Sequence, residues 1–403
     1  MRGRTPRLPW LALTLMAAAV FAAITTEVLP VGLLPVISRD LGTSESNVGL
    51  LVSAYAVVVA LGSIPLAALL ARWPRRGVLC VLLTIYALSN AVMAVADDYW
   101  VALAARLLGG LAHAGFFGAV FGAAVSLAPA GRAGAAIAFV GVGNALALAL
   151  GVPLGTALGT ALGWRWVFAG AALLLAVLAV LTVLTLLIVP PSPLAPAHAE
   201  QTPVLTAVRS RPILLVAAMT AVLTFGHFTT YTYINPLLRN AGVNADSVSL
   251  VLLGYGLAGV IGLALSSRVV DRRPRTGLGC AIILNSTSLV DLAILPSVAL
   301  TVIWTVLWGL SFGALPTLVQ AVALRAAPAA PDAAPAVVNS MFNVGIAGGA
   351  LLGAREVAVA APPVLAWTGA VLVAGSLILL RAAGRPTRPA DSTGPERTSA
   401  AAS

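Results

Sequence analysis

Twelve long apolar runs constrain this chain more than any other feature of its sequence. They lie near residues 10–36, 48–71, 77–95, 100–127, 135–161, 167–189, 213–238, 247–267, 277–295, 298–325, 337–357 and 363–380. A helix needs about 20 apolar residues to cross a bilayer, so each run is long enough to span one. With 60% hydrophobic and 9% charged residues, the chain also differs from soluble globules, in which about 25% of residues are charged. The sequence therefore predicts an all-α integral membrane protein with twelve transmembrane helices.

The arginines indicate on which side of the membrane each connection lies. All 23 basic residues are arginine, and 18 of them fall in the termini and in the connections on the same side as the termini. The opposite connections hold four, which are Arg39, Arg165, Arg239 and Arg355. Since cytoplasmic loops carry the excess of positive charge, we expect a multi-pass protein of a bacterial inner membrane with both termini in the cytoplasm. The pI of about 10.9 then reflects topology, and no nucleic-acid partner is expected.

The two halves of the chain resemble each other at a fixed offset. A shift of 200 positions superposes Gly42 on Gly242, Tyr55 on Tyr255, Gly62 on Gly262, Arg72 on Arg272, Pro74 on Pro274, Arg75 on Arg275, Gly77 on Gly277, Cys80 on Cys280 and Gly109 on Gly309. We therefore predict an N-terminal six-helix half (1–189), a proline-rich cytoplasmic linker (190–212), a C-terminal six-helix half (213–381) and a disordered cytoplasmic tail (382–403). Parallel repeats of this kind build the major facilitator fold, with the substrate site at the midplane between the halves.

Short motifs add a resemblance to the major facilitator superfamily. AALLARWPRRGVL at 67–79 resembles its signature loop, although alanines replace the glycine and the aspartate, and SRVVDRRPR at 267–275 resembles a second copy. RLLGGLAHAG at 106–115 resembles the fourth-span motif, and GVPLGTALG at 151–159 resembles the fifth-span motif of antiporters. With TTEVLPVGLLP at 25–35 and GWRWVF at 163–168, the whole is similar to the twelve-span drug/proton antiporter group, near the chloramphenicol-resistance and arabinose-efflux-like exporters.

The resemblance implies roles for two sets of residues. The cytoplasmic gating loops would include Arg72, Arg75, Arg76, Asp271, Arg272 and Arg275. They would latch one conformation by capping helix ends, although topology alone accounts for about half of their charge. The antiporter motif would comprise Gly151, Pro153, Gly155 and Gly159, a glycine face that continues at Gly163. Such a face could seal the two halves against ion leak, or it could serve ordinary tight packing between helices.

Ionisable residues inside the spans are the candidates for proton coupling. Glu27 and Arg106 are expected at a similar depth in the membrane, so a salt bridge between them is geometrically possible. Intramembrane charges usually mark ion or substrate paths, which favours a coupling role for this pair over a purely stabilising one. His113 lies seven residues from Arg106 on nearly the same helix face, and is either a proton carrier or a hydrogen-bonded interior group. Asp291 is a further candidate, although it could reach the outer interface and be solvated there.

A substrate cavity is expected between the halves. Its candidate lining residues are Thr26, Asn144, His227, Tyr231, Tyr233, Asn235, Gln320, Asn339 and Asn343. His227 fits a cavity wall better than a proton carrier, and the aromatic residues near it could equally serve interface packing. No GxxxxGK[ST] loop is present, and the two cysteines suggest neither a disulfide framework nor a metal site.

These observations predict a transporter rather than an enzyme, with no cofactor. We expect a monomeric, proton-coupled antiporter that exports a small amphipathic drug of the chloramphenicol type by alternating access. Its partners would be the small-molecule substrate, protons and the lipid bilayer. A sugar or metabolite exporter of the same fold is the alternative, and it would need more hydrogen-bonding groups in the cavity. A membrane sensor or scaffold is disfavoured because the sequence shows no added soluble domain.

Overall fold

The computed structural model describes residues 9–70, 73–129, 132–188, 210–270, 272–294, 297–326 and 333–383. Its helices are α1 (Trp10–Asp40), α2 (Glu45–Leu70), α3 (Arg75–Ala94), α4 (Tyr99–Leu127), α5 (Ala133–Leu146), α6 (Val152–Leu162), α7 (Trp164–Ile188), α8 (Arg211–Tyr231), α9 (Ile234–Asn240), α10 (Ala245–Val269), α11 (Pro274–Ile294), α12 (Val298–Ala326), α13 (Ala333–Val359) and α14 (Pro363–Ala382). A π-helical turn, Ala147–Gly151, joins α5 to α6. With α5, the π turn and α6 counted as one span, the described residues form twelve helices that are long and apolar enough to cross a membrane. This number confirms the predicted architecture.

The helix contacts repeat between the two halves. In the first half α1 packs on α5, α2 on α4, and α3 on both α4 and α7. In the second half α8 packs on α13, α10 on α12, and α11 on both α12 and α14. Each pair of one half therefore has its counterpart six spans later, as the offset of 200 positions in the sequence predicts.

The two halves are joined at one end of the bundle. We name it the loop end, because the connections at 41–44 and 241–244 lie there, and we name the opposite end, where α1 begins and α14 finishes, the terminal end. Between described residues, every hydrogen bond that joins the halves lies near the loop end. Ser46 Oγ donates to Ala354 O (2.6 Å), Asn235 Nδ2 to Gly32 O (2.8 Å), and Tyr233 Oη to Ser46 O (3.4 Å). The bundle is therefore closed at the loop end.

The glycine face of the fifth span packs against α1 of its own half. A Cβ atom added to Gly155 would lie 2.5 Å from Leu29 Cδ1, and one added to Gly159 would lie 2.6 Å from Leu33 Cδ2. A Cβ on Gly151 would overlap Thr25. These contacts match the packing interpretation, because the glycines let α1 of the same half approach closely. The seal between the halves stays a prediction. Gly163 is also not part of the face, because it ends α6 with φ +99°.

Pro153 lies just after the π-helical turn of the fifth span. A proline has no N–H to donate to the carbonyl four residues earlier, which here is that of Ala149. The wider π turn at Ala147–Gly151 accommodates this break without ending the span. The proline in the fifth span is therefore accommodated by a local change of helix type.

Candidate functional site

Arg106 binds a carbonyl group that a proline has left without its helical donor. Pro30 lies inside α1 and has no N–H, so the carbonyl of Thr26, four residues earlier, lacks its usual partner. Arg106 Nη1 donates to Thr26 O at 2.8 Å, and Nη2 donates to Glu27 O at 2.7 Å. The guanidinium group thus ties α4 to α1 at the point where α1 is weakened. Arg106 is only 4% exposed, which makes these two bonds necessary.

Two glycines after Arg106 let α2 approach the arginine. A Cβ on Gly110 would lie 2.7 Å from Tyr55 O, and one on Gly109 would lie 3.1 Å from Tyr55 Cε2. Because neither residue has a side chain, the Tyr55 ring reaches Arg106 Cζ, which lies 4.3 Å from the ring centroid. A guanidinium at this distance from an aromatic face is stabilised by a cation–π interaction. The motif RLLGGLAHAG therefore supplies both the cation and the space that its aromatic partner needs.

The Glu27 carboxylate belongs to a buried cluster of polar side chains. Glu27 Oε2 lies 3.4 Å from His113 Nδ1. Tyr55 Oη is 3.0 Å from the same nitrogen and 3.1 Å from Tyr86 Oη. The Phe117 ring covers the imidazole, with centroids 4.7 Å apart. Helices α1, α2 and α3 thus each place one polar group of this cluster, and α4 places both His113 and Arg106. Glu27 and His113 are in direct contact.

This geometry corrects the expected salt bridge between Glu27 and Arg106. Among the described residues, the carboxylate of Glu27 lies nearest to the imidazole of His113, at 3.4 Å, whereas Arg106 uses the backbone carbonyls of α1. The two side chains still interact electrostatically within one cluster. Asp291 is not part of it. It lies half-buried near the end of α11, a helix of the second half that packs on α10, α12 and α14.

The second half has an aromatic cluster around His227. This residue is fully buried, and Trp308 Nε1 donates to its Nδ1 at 3.1 Å. Tyr255 Oη lies 3.2 Å from its Nε2. Phe312 stacks on the imidazole with ring centroids 3.7 Å apart, and Tyr231 stacks at 5.6 Å. His227 is therefore packed among aromatic rings and also hydrogen-bonded by Asn285, and its full burial limits its exposure to any cavity.

The two clusters occupy corresponding places in the repeat. At the offset of 200 positions, Glu27 corresponds to His227 and Tyr55 corresponds to Tyr255. Each tyrosine has a histidine as a close neighbour, His113 for Tyr55 and His227 for Tyr255. The two halves therefore share a tyrosine position but differ in its neighbours, because Glu27 corresponds to His227 and Arg106 corresponds to Val306. Sequence reasoning missed the role of both tyrosines, although the repeat alignment had already superposed them.

A cavity of about 250 Å³ lies between the halves. Its lining residues are Gly141, Asn144, Ala145, Leu148, Tyr255, Gly256, Gly259, Val260, Leu263, Gly309, Phe312, Gly313, Pro316 and Thr317. The wall is mostly apolar, and its polar side chains are those of Asn144, Tyr255 and Thr317. The cavity is slightly smaller than the roughly 300–1,000 Å³ of typical ligand pockets.

Of the residues predicted to line the substrate cavity, Asn144 does line this one. Tyr231 is buried in the core of the second half, and the Thr26 hydroxyl donates to Ala23 O within its own helix. Tyr233 and Asn235 join the halves at the loop end instead of lining this cavity. The remaining candidates lie on α12 and α13, with Gln320 half-buried, Asn339 exposed and Asn343 buried.

The cytoplasmic gating loops are only partly described. Arg72 and Asp271 lie outside the described residues, as do 190–209 of the predicted linker and the tail from 384 onward. Arg75 is the first residue of α3, Arg76 is half-buried, and Arg272 is exposed. Arg275 Nη2 donates to Ala383 O at 2.7 Å, directly after α14. The expected capping of helix ends therefore occurs at Arg275, where a cation meets the carbonyl end of a helix.

Comparison with known proteins decides the family. The model of the Major Facilitator Superfamily matches residues 15–239 of the sequence. A relative named "Probable sugar efflux transporter" from Helicobacter acinonychis (strain Sheeba) is 32% identical over 335 residues, covering 82% of this chain and 84% of the relative. A protein of the same name from Helicobacter pylori (strain ATCC 700392 / 26695) is 32% identical over 336 residues, with the same coverage. This chain belongs to the Major Facilitator Superfamily.

Solved structures of similar shape agree with this assignment. A crystal structure of the nucleoside transporter NupG, in a mutant form, superposes with a TM-score of 0.75 at 13% identity, covering 93% of this chain and all of NupG. A bacterial homologue of the human lysosomal transporter Spinster, inward-facing and unoccupied, gives 0.71 at 16% identity and covers 94% of this chain and 96% of the homologue. Because these two proteins are only 16% and 13% identical to this chain, their similarity shows a shared fold. The protein is thus a multi-pass major facilitator transporter of small molecules, a family whose members are generally not enzymes.

Proposed function

We propose that this major facilitator protein is a proton-coupled exporter of small amphipathic molecules, with drugs of the chloramphenicol type as its first substrate class. The contact between Glu27 and His113 carries the proposal. Two titratable side chains meet in the interior of a transmembrane half, and both are 7% exposed. Such groups are costly to keep within a bilayer unless they have a task, and proton transfer is the task that an acid and an imidazole can share.

Proton coupling requires that the proton occupancy of Glu27 change during the cycle. Movement between a dry and a hydrated environment alters the relative stability of its charged and neutral forms. Arg106 stays bound to the carbonyls of α1 through two hydrogen bonds, so it can act as a fixed positive charge while the carboxylate gains or loses its proton. His113 and Tyr55 complete a hydrogen-bonded environment that can accept the proton or pass it on.

The orientation of the protein follows from its arginines. The terminal end carries the larger share of the positive charge, so we assign it to the cytoplasm, in the inner membrane of a bacterial cell. Because the halves are joined at the loop end, the conformation described here corresponds to an inward-facing state of a monomer. Export then requires that the contacts of Asn235, Tyr233 and Ser46 break to open the loop end.

The chemistry of the cavity supports an amphipathic substrate. Leu148, Val260, Leu263 and Phe312 provide apolar surface, with few polar groups among them. A sugar has several hydroxyl groups, each of which loses free energy if it is buried without a hydrogen-bond partner. The names of the two Helicobacter relatives nevertheless make sugar export the second candidate.

Transport into proteoliposomes distinguishes these possibilities. The purified protein is reconstituted, and uptake of chloramphenicol and of L-arabinose is measured with and without a pH gradient. Gradient-dependent movement of chloramphenicol supports the proposal, and movement of arabinose alone supports the second candidate. If both compounds move equally well without a gradient and cause no proton flux, proton coupling is wrong.

A further inference from the structure

We infer that Tyr255 is a hydrogen-bond donor to the transported molecule, and that His227 and Trp308 fix the direction in which its hydroxyl hydrogen points. The inference rests on the proposed function, because it names the chemistry by which the cavity would select its substrate. It predicts that the substrate carries an uncharged hydrogen-bond acceptor, such as a carbonyl, nitro or ether oxygen. His227 and Trp308 are then positioning residues that act on the ligand through Tyr255.

Trp308 determines which ring nitrogen of His227 carries a hydrogen. An indole N–H can only donate, and Trp308 Nε1 is 3.1 Å from His227 Nδ1. Nδ1 must therefore accept, so it carries no hydrogen and the ring is neutral. A neutral imidazole has one N–H, which must then lie on Nε2. The Trp308 N–H thus fixes the tautomer of His227 at Nδ1. Asn285 also hydrogen-bonds this imidazole, and because its Nδ2 donates to Ser311 Oγ, its amide oxygen is left to accept from the ring N–H.

The same tautomer determines the role of the Tyr255 hydroxyl. His227 Nε2 carries the hydrogen and lies 3.2 Å from Tyr255 Oη, so the tyrosine hydroxyl cannot donate its own hydrogen to this nitrogen. The hydroxyl hydrogen of Tyr255 then has to point elsewhere. Among the described residues, no second hydrogen-bond partner of Tyr255 Oη is present, and Tyr255 lines the cavity between the halves. Its hydrogen is therefore free to be donated to a molecule in that cavity.

The residues around Tyr255 indicate which other chemical groups the ligand should have. Phe312 stacks on His227 and also lines the cavity, so it offers an aromatic surface next to the donor. Leu148 and Val260 extend the apolar wall, and Asn144 belongs to the other half of the protein. A ligand with an apolar body and one acceptor oxygen can therefore contact both halves at once. This arrangement discriminates against molecules that have no acceptor, because they leave the Tyr255 hydrogen unpaired.

The tautomer can be tested without any substrate. The chain has three histidines, so a ¹⁵N-histidine sample in nanodiscs gives few ring signals, and comparison with His227→Gln identifies those of His227. We expect a neutral ring with the hydrogen on Nε2, and a loss of this preference in Trp308→Phe. A hydrogen on Nδ1, or on both nitrogens at neutral pH, would overturn the inference.

Ligand contact is tested with two small probes that need not be transported. N,N-dimethylbenzamide has an acceptor oxygen and no donor, whereas cumene has a similar apolar ring and no acceptor. Their binding is followed through the His227 signals in the wild-type protein and in Tyr255→Phe. Loss of one neutral hydrogen bond should weaken benzamide binding about threefold to tenfold and leave cumene binding unchanged. The variant Tyr99→Phe, which removes a hydroxyl from the start of α4, should bind both probes as the wild type does.

The outcomes separate this inference from the proposed function. Equal benzamide affinity in the wild type and in Tyr255→Phe would overturn the inference, even if chloramphenicol export is proton-driven. A clear loss of benzamide affinity would support it, even if neither chloramphenicol nor arabinose is transported.

Discussion

His113 Nδ1 lies 3.4 Å from Glu27 Oε2, so the carboxylate of the first span faces an imidazole and not the guanidinium of Arg106. The arginine instead holds the backbone of α1 at Thr26 and Glu27. The acid and the arginine therefore have separate roles that can be tested separately. Glu27 can change its protonation while Arg106 maintains the structure around it.

Replacement of Glu27 by Gln should abolish export driven by a pH gradient, because glutamine has the same shape but cannot carry the proton. Binding of substrate and its exchange without a gradient should remain. The measurement is chloramphenicol efflux together with proton influx in proteoliposomes at several pH values. As a matched control, Glu356→Gln removes a carboxylate that accepts from Thr368 in a span of the second half, and it should leave coupling intact. Full coupling in Glu27→Gln would transfer the carrier role to His113 or Asp291.

Arg106 and Pro30 should be energetically coupled, because the proline frees the carbonyl that the arginine binds. Arg106→Ala is expected to lower stability, and Arg106→Lys should recover little, since one ammonium group does not reproduce the planar fork of donors. In a Pro30→Ala background, the new N–H can bond to Thr26 O, so the loss caused by Arg106→Ala should shrink by about 1 kcal/mol. The coupling is measured from the unfolding free energies, in the same detergent, of the wild type, Arg106→Ala, Pro30→Ala and the double variant. Strictly additive effects would contradict the assignment.

Gly155→Leu should slow transport by placing bulk between the fifth span and Leu29. Overpacking of this kind costs about 1–3 kcal/mol, and the surrounding backbone of α1 carries the carbonyls that Arg106 binds. Gly170→Leu is the control, because a Cβ at Gly170 meets no atom within 4 Å. We expect a lower melting temperature and a lower turnover for Gly155→Leu alone. Equal behaviour of the two variants would show that the close approach to α1 is unimportant.

Asn235→Ala should favour opening of the loop end, because it removes the hydrogen bond to Gly32 that joins the halves. Spin labels at the exposed positions Asn47 and Arg355, one in each half, report the separation. The distance distribution is expected to shift toward longer values in the variant, because the lost hydrogen bond stabilises the closed loop end by about 1 kcal/mol. Asn240→Ala, at the end of the same short helix, should leave the distribution unchanged. A shift in both variants, or in neither, would contradict a gating role for Asn235.

Periodic features of the sequence predicted the fold correctly. Twelve apolar runs became twelve spans, because a chain in lipid has to satisfy its backbone hydrogen bonds within each helix. The offset of 200 positions anticipated the repeated helix contacts, since each half buries the same faces. The glycines at 151, 155 and 159 were correctly placed on one face, but the partner of that face was not predictable from spacing alone.

The candidate site was predicted in part. Glu27, Arg106 and His113 do meet, and the reasoning from depth brought them together. Their pairing was wrong, because depth along the membrane normal does not give the rotation of a helix about its axis. A signal for the true contact of Arg106 was available in TTEVLP, where Pro30 frees the carbonyl of Thr26. The tyrosines at 55 and 255 were visible as repeat equivalents, but their histidine neighbours lie on other helices.

The sequence by itself determined that this protein is embedded in a lipid bilayer, how many spans it has and that its two halves are repeats. These properties depend on the composition and periodicity of single segments. Only the tertiary structure decided that Glu27 faces His113, that Arg106 binds backbone carbonyls, and that the Trp308 donor sets the tautomer beside Tyr255. The physical reason is that a hydrogen bond requires two atoms within about 3 Å and in line, and this condition depends on the rotation and crossing of helices far apart in the chain.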